Sequence, residues 1–143
     1  MNGRARSNLE LIQKELGHGI WGDIQFTDRS GQESTIYALR ATIRFLDGSV
    51  LYVTEYTNKF GIIDRYYYDW TAADWRIKAQ YHSEPHKRDQ RYQTATEPYH
   101  IHPPQNTVLS NLDRFPNYAH QDLYSIVEGI IIFAVIPSRT SLE

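Results

Sequence analysis

Cysteine is absent from this chain of 143 residues, which excludes disulfides, thiolate metal sites and a thiol nucleophile. An excess of either charge is also missing. Fifteen lysines and arginines stand against seventeen aspartates and glutamates, for a net charge of −2. A general nucleic-acid coat would be basic overall, so any nucleic-acid contact must be a local surface. Long apolar runs are lacking too. The most apolar one, residues 129–136, is eight residues long, against the roughly twenty needed to span a bilayer. The opening Met-Asn-Gly-Arg-Ala-Arg-Ser has none of the apolar character of a secretory signal. The expectation is a cytoplasmic protein without membrane contact.

Aromatic residues, at 13% with eleven tyrosines, are plentiful and favour β-structure. Apolar residues at 41% and charged residues at 22% fit a globular domain. The length suits one domain over residues 1–143 with a substantial core. Residues 7–16 predict a helix, with Ser7 and Glu10 at capping-box spacing and Leu9, Ile12 and Leu16 on one face. Residues 20–82 read as an antiparallel sheet of about five to six strands, because the connections are too short for crossover helices. Its segments are Ile20 to Thr27, Thr35 to Leu46, Ser49 to Tyr56, Ile62 to Trp70 and Trp75 to His82. Asp47-Gly48 gives a hairpin signal between the second and third. In the last segment Trp75, Ile77, Ala79 and Tyr81 would face one way, and Arg76, Lys78, Gln80 and His82 the other.

Residues 83–118 are irregular and rich in histidine and proline, as expected of a functional loop. Residues 119–135 carry a helical stripe of His120, Leu123, Ile126, Val127, Ile130, Ile131 and Ala134, able to cover one sheet face. Its β-branched residues leave a final strand as the alternative. The fold class is α+β.

Four of the six histidines, His82, His86, His100 and His102, fall within twenty-one residues. Histidine exchanges protons near neutral pH and, when neutral, ligates metals. Lys87, Arg88 and Arg91 lie between the two halves of the cluster, beside groups able to transfer protons. That combination suits phosphoryl transfer on RNA, where the 2′-hydroxyl is the internal nucleophile. In this reading His86, His100 and His102 are catalytic. Lys87, Arg88, Arg91, Arg65 and His82 bind phosphates or substrate, and Tyr81 and Tyr99 stack on bases. Glu55 sits on the apolar face of its strand with Leu51 and Val53. There it would need a partner such as Arg40, Arg44 or Arg65, and it would orient a histidine or act as base. No resident metal or cofactor is expected. The alternatives are a metal-dependent hydrolase using the same histidines, with Glu84 or Glu97 as a further ligand, and a non-catalytic binding module.

The order Ile43-Arg44-Phe45-Leu46-Asp47-Gly48-Ser49, Glu55, Tyr66-Tyr67-Tyr68-Asp69-Trp70, Tyr81-His82-Ser83-Glu84-Pro85-His86 and Pro98-Tyr99-His100-Ile101-His102 resembles the TumE-type toxins of bacterial toxin–antitoxin pairs. The likeness runs over about residues 35–105. It departs at His82, where that family usually has aspartate, at Gln80, where it usually has arginine, and at Tyr99, which replaces a histidine. The resemblance implies a toxin with a cognate antitoxin partner, and by analogy one that acts on RNA. An open aromatic-rich sheet edge also suits a homodimer.

Overall fold

The computed structural model describes residues 4–83, 94–96, 98–102, 115–118 and 120–140. Its elements are β1 (Arg4–Ala5), α1 (Leu9–Leu16), β2 (Ala38–Arg44), β3 (Val50–Thr57), β4 (Ile62–Thr71), β5 (Ile77–His82), β6 (His100–His102), β7 (Phe115–Pro116), α2 (Leu123–Ile130) and α3 (Ile136–Thr140). The seven strands form one antiparallel sheet in the order β2-β3-β4-β5-β6-β7, and β1 pairs with the start of β4. The fold is α+β, with the N-terminal and C-terminal helices on one face of the sheet.

Strand alternation places Leu39, Ala41 and Ile43 of β2, Leu51 and Val53 of β3, and Tyr66 and Tyr68 of β4 in one core. That core is shared with Leu9, Ile12 and Leu16 of α1 and Leu123, Ile126, Val127 and Ile130 of α2. The Asp47-Gly48 turn joins β2 to β3 as its sequence predicts. Gly48 takes φ +87°, and Asp47 Oδ1 accepts from the backbone N–H of Ser49.

Several boundaries differ from the sequence reading, each for a local reason. Asn8, not Ser7, caps α1 by accepting from the Leu11 N–H, and Ser7 turns to Glu55 instead. Ile20 to Thr27 is not a strand. Gly22 bends it with φ +70°, and the Gln13 amide takes the Ile24 N–H. Isolated bridges such as Gln25–Thr42 and Ile20–Phe45 tie it to the sheet. Trp75 lies in the β4–β5 turn with φ +71°, so β5 begins at Ile77.

A register shift between Trp70 and Thr71 opposite β5 reverses the facing of Ile77. It lines the sheet face opposite the helices with Thr71 and Asp69, away from Ala79 and Tyr81. Lys78 instead lies 4.2 Å over the Trp70 ring, so it is not beside His82. His100 to His102, expected in an irregular loop, form β6 and pair with β5.

The C-terminal helix spans Leu123 to Thr140 with a π-helical turn at Ile131–Val135. Its β-branched residues do not make a strand. Pro137 has no N–H to donate, and the widened turn before it sends the Ile136 N–H to Ile131. The extra residue in that turn shifts the last buried position of the stripe from Ala134 to Val135. The same helix presses on Gly19, where an added Cβ would sit 2.5 Å from Cγ1 of Ile131. Ile131 is itself buried, so Gly19→Ala should destabilise the fold by about 1–3 kcal/mol through overpacking. A urea midpoint unchanged from wild type would refute this.

Burial raises the phenol pKa of Tyr66, Tyr68 and Tyr81, and for Tyr68 the adjacent Glu55 adds to the rise. Below the unfolded phenol pKa of about 10 both states are neutral and the contribution is complete. Above it the unfolded tyrosines ionise while the folded ones stay protonated. Stability should then fall with pH, by up to about 1.4 kcal/mol per unit for each tyrosine. Denaturant titrations across the alkaline range read this slope. Tyr66→Phe should flatten it at small cost, because the buried Tyr66 hydroxyl has no hydrogen-bond partner.

Candidate functional site

The sheet face turned away from the helices gathers the histidines. In β6 the side chains of His100 and His102 alternate with Ile101 and so share one face. Register puts His100 opposite His82 and His102 opposite Gln80. Asp69 pairs with Gln80 on the other side of β5. Three histidines thus converge, each less than a tenth exposed.

Their rings lie 4.4 Å (His82–His102), 4.9 Å (His100–His102) and 5.7 Å (His82–His100) apart. Candidate ligand nitrogens from the three lie within 4.8 Å of one another. His100 Nε2 and His102 Nε2 are 3.1 Å apart.

The outer nitrogens are anchored. His82 Nε2 lies 3.0 Å from Asp69 Oδ1. A carboxylate oxygen can only accept, so Nε2 carries a proton, and in the neutral ring Nδ1 then presents its lone pair. That Nδ1 is buried and has no hydrogen-bond partner. By the same logic His100 Nδ1 donates to the Pro98 carbonyl at 3.1 Å, which leaves its Nε2 lone pair facing His102. Two of the three rings are therefore fixed in tautomer and orientation by groups outside the cluster.

Around them, Tyr67 packs edge-on to His82 at 4.9 Å. Tyr56 follows next to Tyr67, with the Arg65 guanidinium 4.6 Å over its ring. On the same face a groove of about 480 Å³ is lined by Arg29, Tyr52, Thr54, Asp69 and Gln80, among others. Asp69 links the groove to the cluster.

Of the residues that the sequence singled out, His82, His100 and His102 come together, and Arg65 shares their sheet face. Glu55 does not. It is fully buried on the helix side, and its partners are the Ser7 N–H, the Ser7 hydroxyl and the Tyr68 hydroxyl, not an arginine. Tyr81 and Tyr99 are also on the helix side. Tyr81 lines a cavity under α2, and Tyr99 packs beside Tyr66 beneath Arg4. His86, Lys87, Arg88 and Arg91 lie outside the described residues, as do Glu84 and Glu97.

Sequence reasoning missed Asp69. The available signal was a lone carboxyl group amid the tyrosines of a central strand, where a partner is required.

A family model described as Toxin TumE matches residues 8–136, from α1 to the start of α3. The chain belongs to the TumE toxin family. No curated protein and no solved structure matches it. The TumE match extends the likeness seen over residues 35–105 to both helices, and it contains the whole histidine cluster. Among the described residues no helix is long and apolar enough to cross a membrane.

Proposed function

We propose that this TumE-family chain is the toxin of a toxin–antitoxin pair and that it cleaves RNA at the histidine cluster, working in the cytoplasm. The observation that carries the reading is the convergence of His82, His100 and His102 beside a groove lined mostly by polar groups. Attack by the 2′-hydroxyl on the adjacent phosphate needs a proton acceptor, a donor for the leaving oxygen and positive charge for the phosphorane. The imidazoles supply proton transfer. Arg65 on this face, together with Lys87, Arg88 and Arg91 from the sequence, supplies charge and substrate contacts, and His86 is a further proton-transfer group. The half-buried Tyr52, which lines the groove, offers a stacking surface for an unpaired base. An antitoxin that covered the groove would silence the site directly.

The chemistry has two forms on the same residues: proton transfer by imidazoles alone, which the sequence favoured, and hydrolysis assisted by a bound metal. The test is incubation of the purified chain with end-labelled single-stranded RNA, with and without EDTA, beside growth of cells that express it. The expected result is cleavage and growth arrest, both abolished in a His100→Ala, His102→Ala double variant. RNA left intact by the wild-type chain would sink the reading. So would growth arrest that persists in the double variant.

A further inference from the structure

We infer that His82, His100 and His102 form a binding site for one first-row transition ion of the zinc class. This names a cofactor for the site discussed above and depends on the proposed function only for what the ion would accomplish.

The first argument is distance. Two nitrogens bound at about 2.0–2.1 Å to one tetrahedral ion lie about 3.3 Å apart. His100 Nε2 and His102 Nε2 stand at 3.1 Å, near that separation before any ion binds. A ring nitrogen from each of the three histidines lies within 4.8 Å of the others, so all three can converge on one ion.

The second argument is the outer hydrogen bonding. Metal-bound histidines donate their remote N–H to a carboxylate or a backbone carbonyl, which aims the other nitrogen at the ion. Asp69 does this for His82 and the Pro98 carbonyl for His100. The nitrogens left over are His82 Nδ1 and His100 Nε2, the latter against His102. His82 Nδ1 is buried without any hydrogen-bond partner, a loss that folding does not tolerate without a reason. An ion removes that deficit. It would also replace the contact between His100 Nε2 and His102 Nε2, with His102 binding as the neutral ring and the proton between the two released.

The third argument is ligand chemistry. Three neutral imidazoles favour zinc, copper, nickel or cobalt over magnesium or calcium, which take oxygen. Three protein ligands leave a fourth position open, as in catalytic zinc sites.

The experiment uses the full chain without a histidine tag, stripped by dialysis against a chelator. It is titrated with Co²⁺, whose visible d–d absorption reports its ligands, and then with Zn²⁺. The expected result is one equivalent of cobalt with a tetrahedral-type band that zinc bleaches. A rise in thermal midpoint on adding zinc should accompany it. His82→Gln and His100→Gln should abolish the band. Asp69→Asn, which leaves all three ligands in place, should weaken zinc binding by about 10–100-fold.

Absence of stoichiometric cobalt or zinc binding by the wild-type chain would overturn the inference. So would a band that survives in both glutamine variants, which would place the ion elsewhere. If those variants fail to fold, the wild-type stoichiometry and the Asp69→Asn shift still decide. The two readings also separate: stoichiometric binding with RNA left intact keeps the ion and sinks the ribonuclease. EDTA-resistant cleavage without stoichiometric binding does the reverse.

Discussion

Replacing Glu55 with alanine is expected to lower folding stability by about 3–5 kcal/mol. Glu55 is fully buried and accepts from the Ser7 N–H, from the Ser7 hydroxyl at 2.5 Å and from the Tyr68 hydroxyl. Each buried donor stranded by its loss costs about 1–3 kcal/mol, and the vacated volume adds a cavity cost. The contact also joins the start of α1 to the centre of the sheet, across forty-eight positions of sequence. With total stabilities of about 5–15 kcal/mol, such a loss would leave a large unfolded fraction. Glu55→Gln keeps the volume and one acceptor oxygen, so its loss should be clearly smaller. Urea unfolding of both variants checks the order. Equal stability of Glu55→Ala and wild type would mean that the network contributes nothing. Any loss of RNA cleavage in Glu55→Gln should follow the folded fraction, because Glu55 faces the helices and the histidines face away from them.

The second large effect is expected at His100. His100→Ala should lower RNA cleavage by about 10²–10⁴, the usual worth of one positioned acid or base. The ring occupies the centre of the site, held by the Pro98 carbonyl on one side and in contact with His102 on the other. Its removal takes away one candidate proton-transfer group and the contact that His102 makes with it. Because His100 is completely buried, circular dichroism and the thermal midpoint must accompany the rate. Cleavage within a few-fold of wild type in a folded His100→Ala protein would remove this histidine from the reaction. A folded variant with the full loss, beside a Tyr81→Phe variant of unchanged rate, would separate the two faces of the sheet. Tyr81 packs on the helix side near His120, away from the groove.

Much of the architecture was legible in local pattern. Alternation over Leu39 to Phe45, the Asp47-Gly48 turn, and the apolar stripes of Leu9, Ile12 and Leu16 and of Leu123 to Ile131 each depend on neighbours a few positions away. Periodicity and turn chemistry report on such neighbours directly. Irregularities broke the pattern where backbone geometry intervened. Positive φ at Trp75 and the register shift beside Trp70 changed which β5 residues face the histidines. The π-helical turn moved the buried stripe by one residue. None of these has a period to detect.

The candidate site divides in the same way. By itself the sequence determined that this chain has a dense set of histidines and no thiol, and that His100 and His102, two apart on an extended segment, share a side. Those follow from composition and from the two-residue repeat of a strand. Only the tertiary structure decided that His82 joins them, that Asp69 orients it, and that Glu55, Tyr81 and Tyr99 belong to the helix side. The reason is that pairing between β4, β5 and β6 sets these relations. A shift of one residue in register sends every side chain to the opposite face, and nothing in the local sequence of one strand states its register against the next.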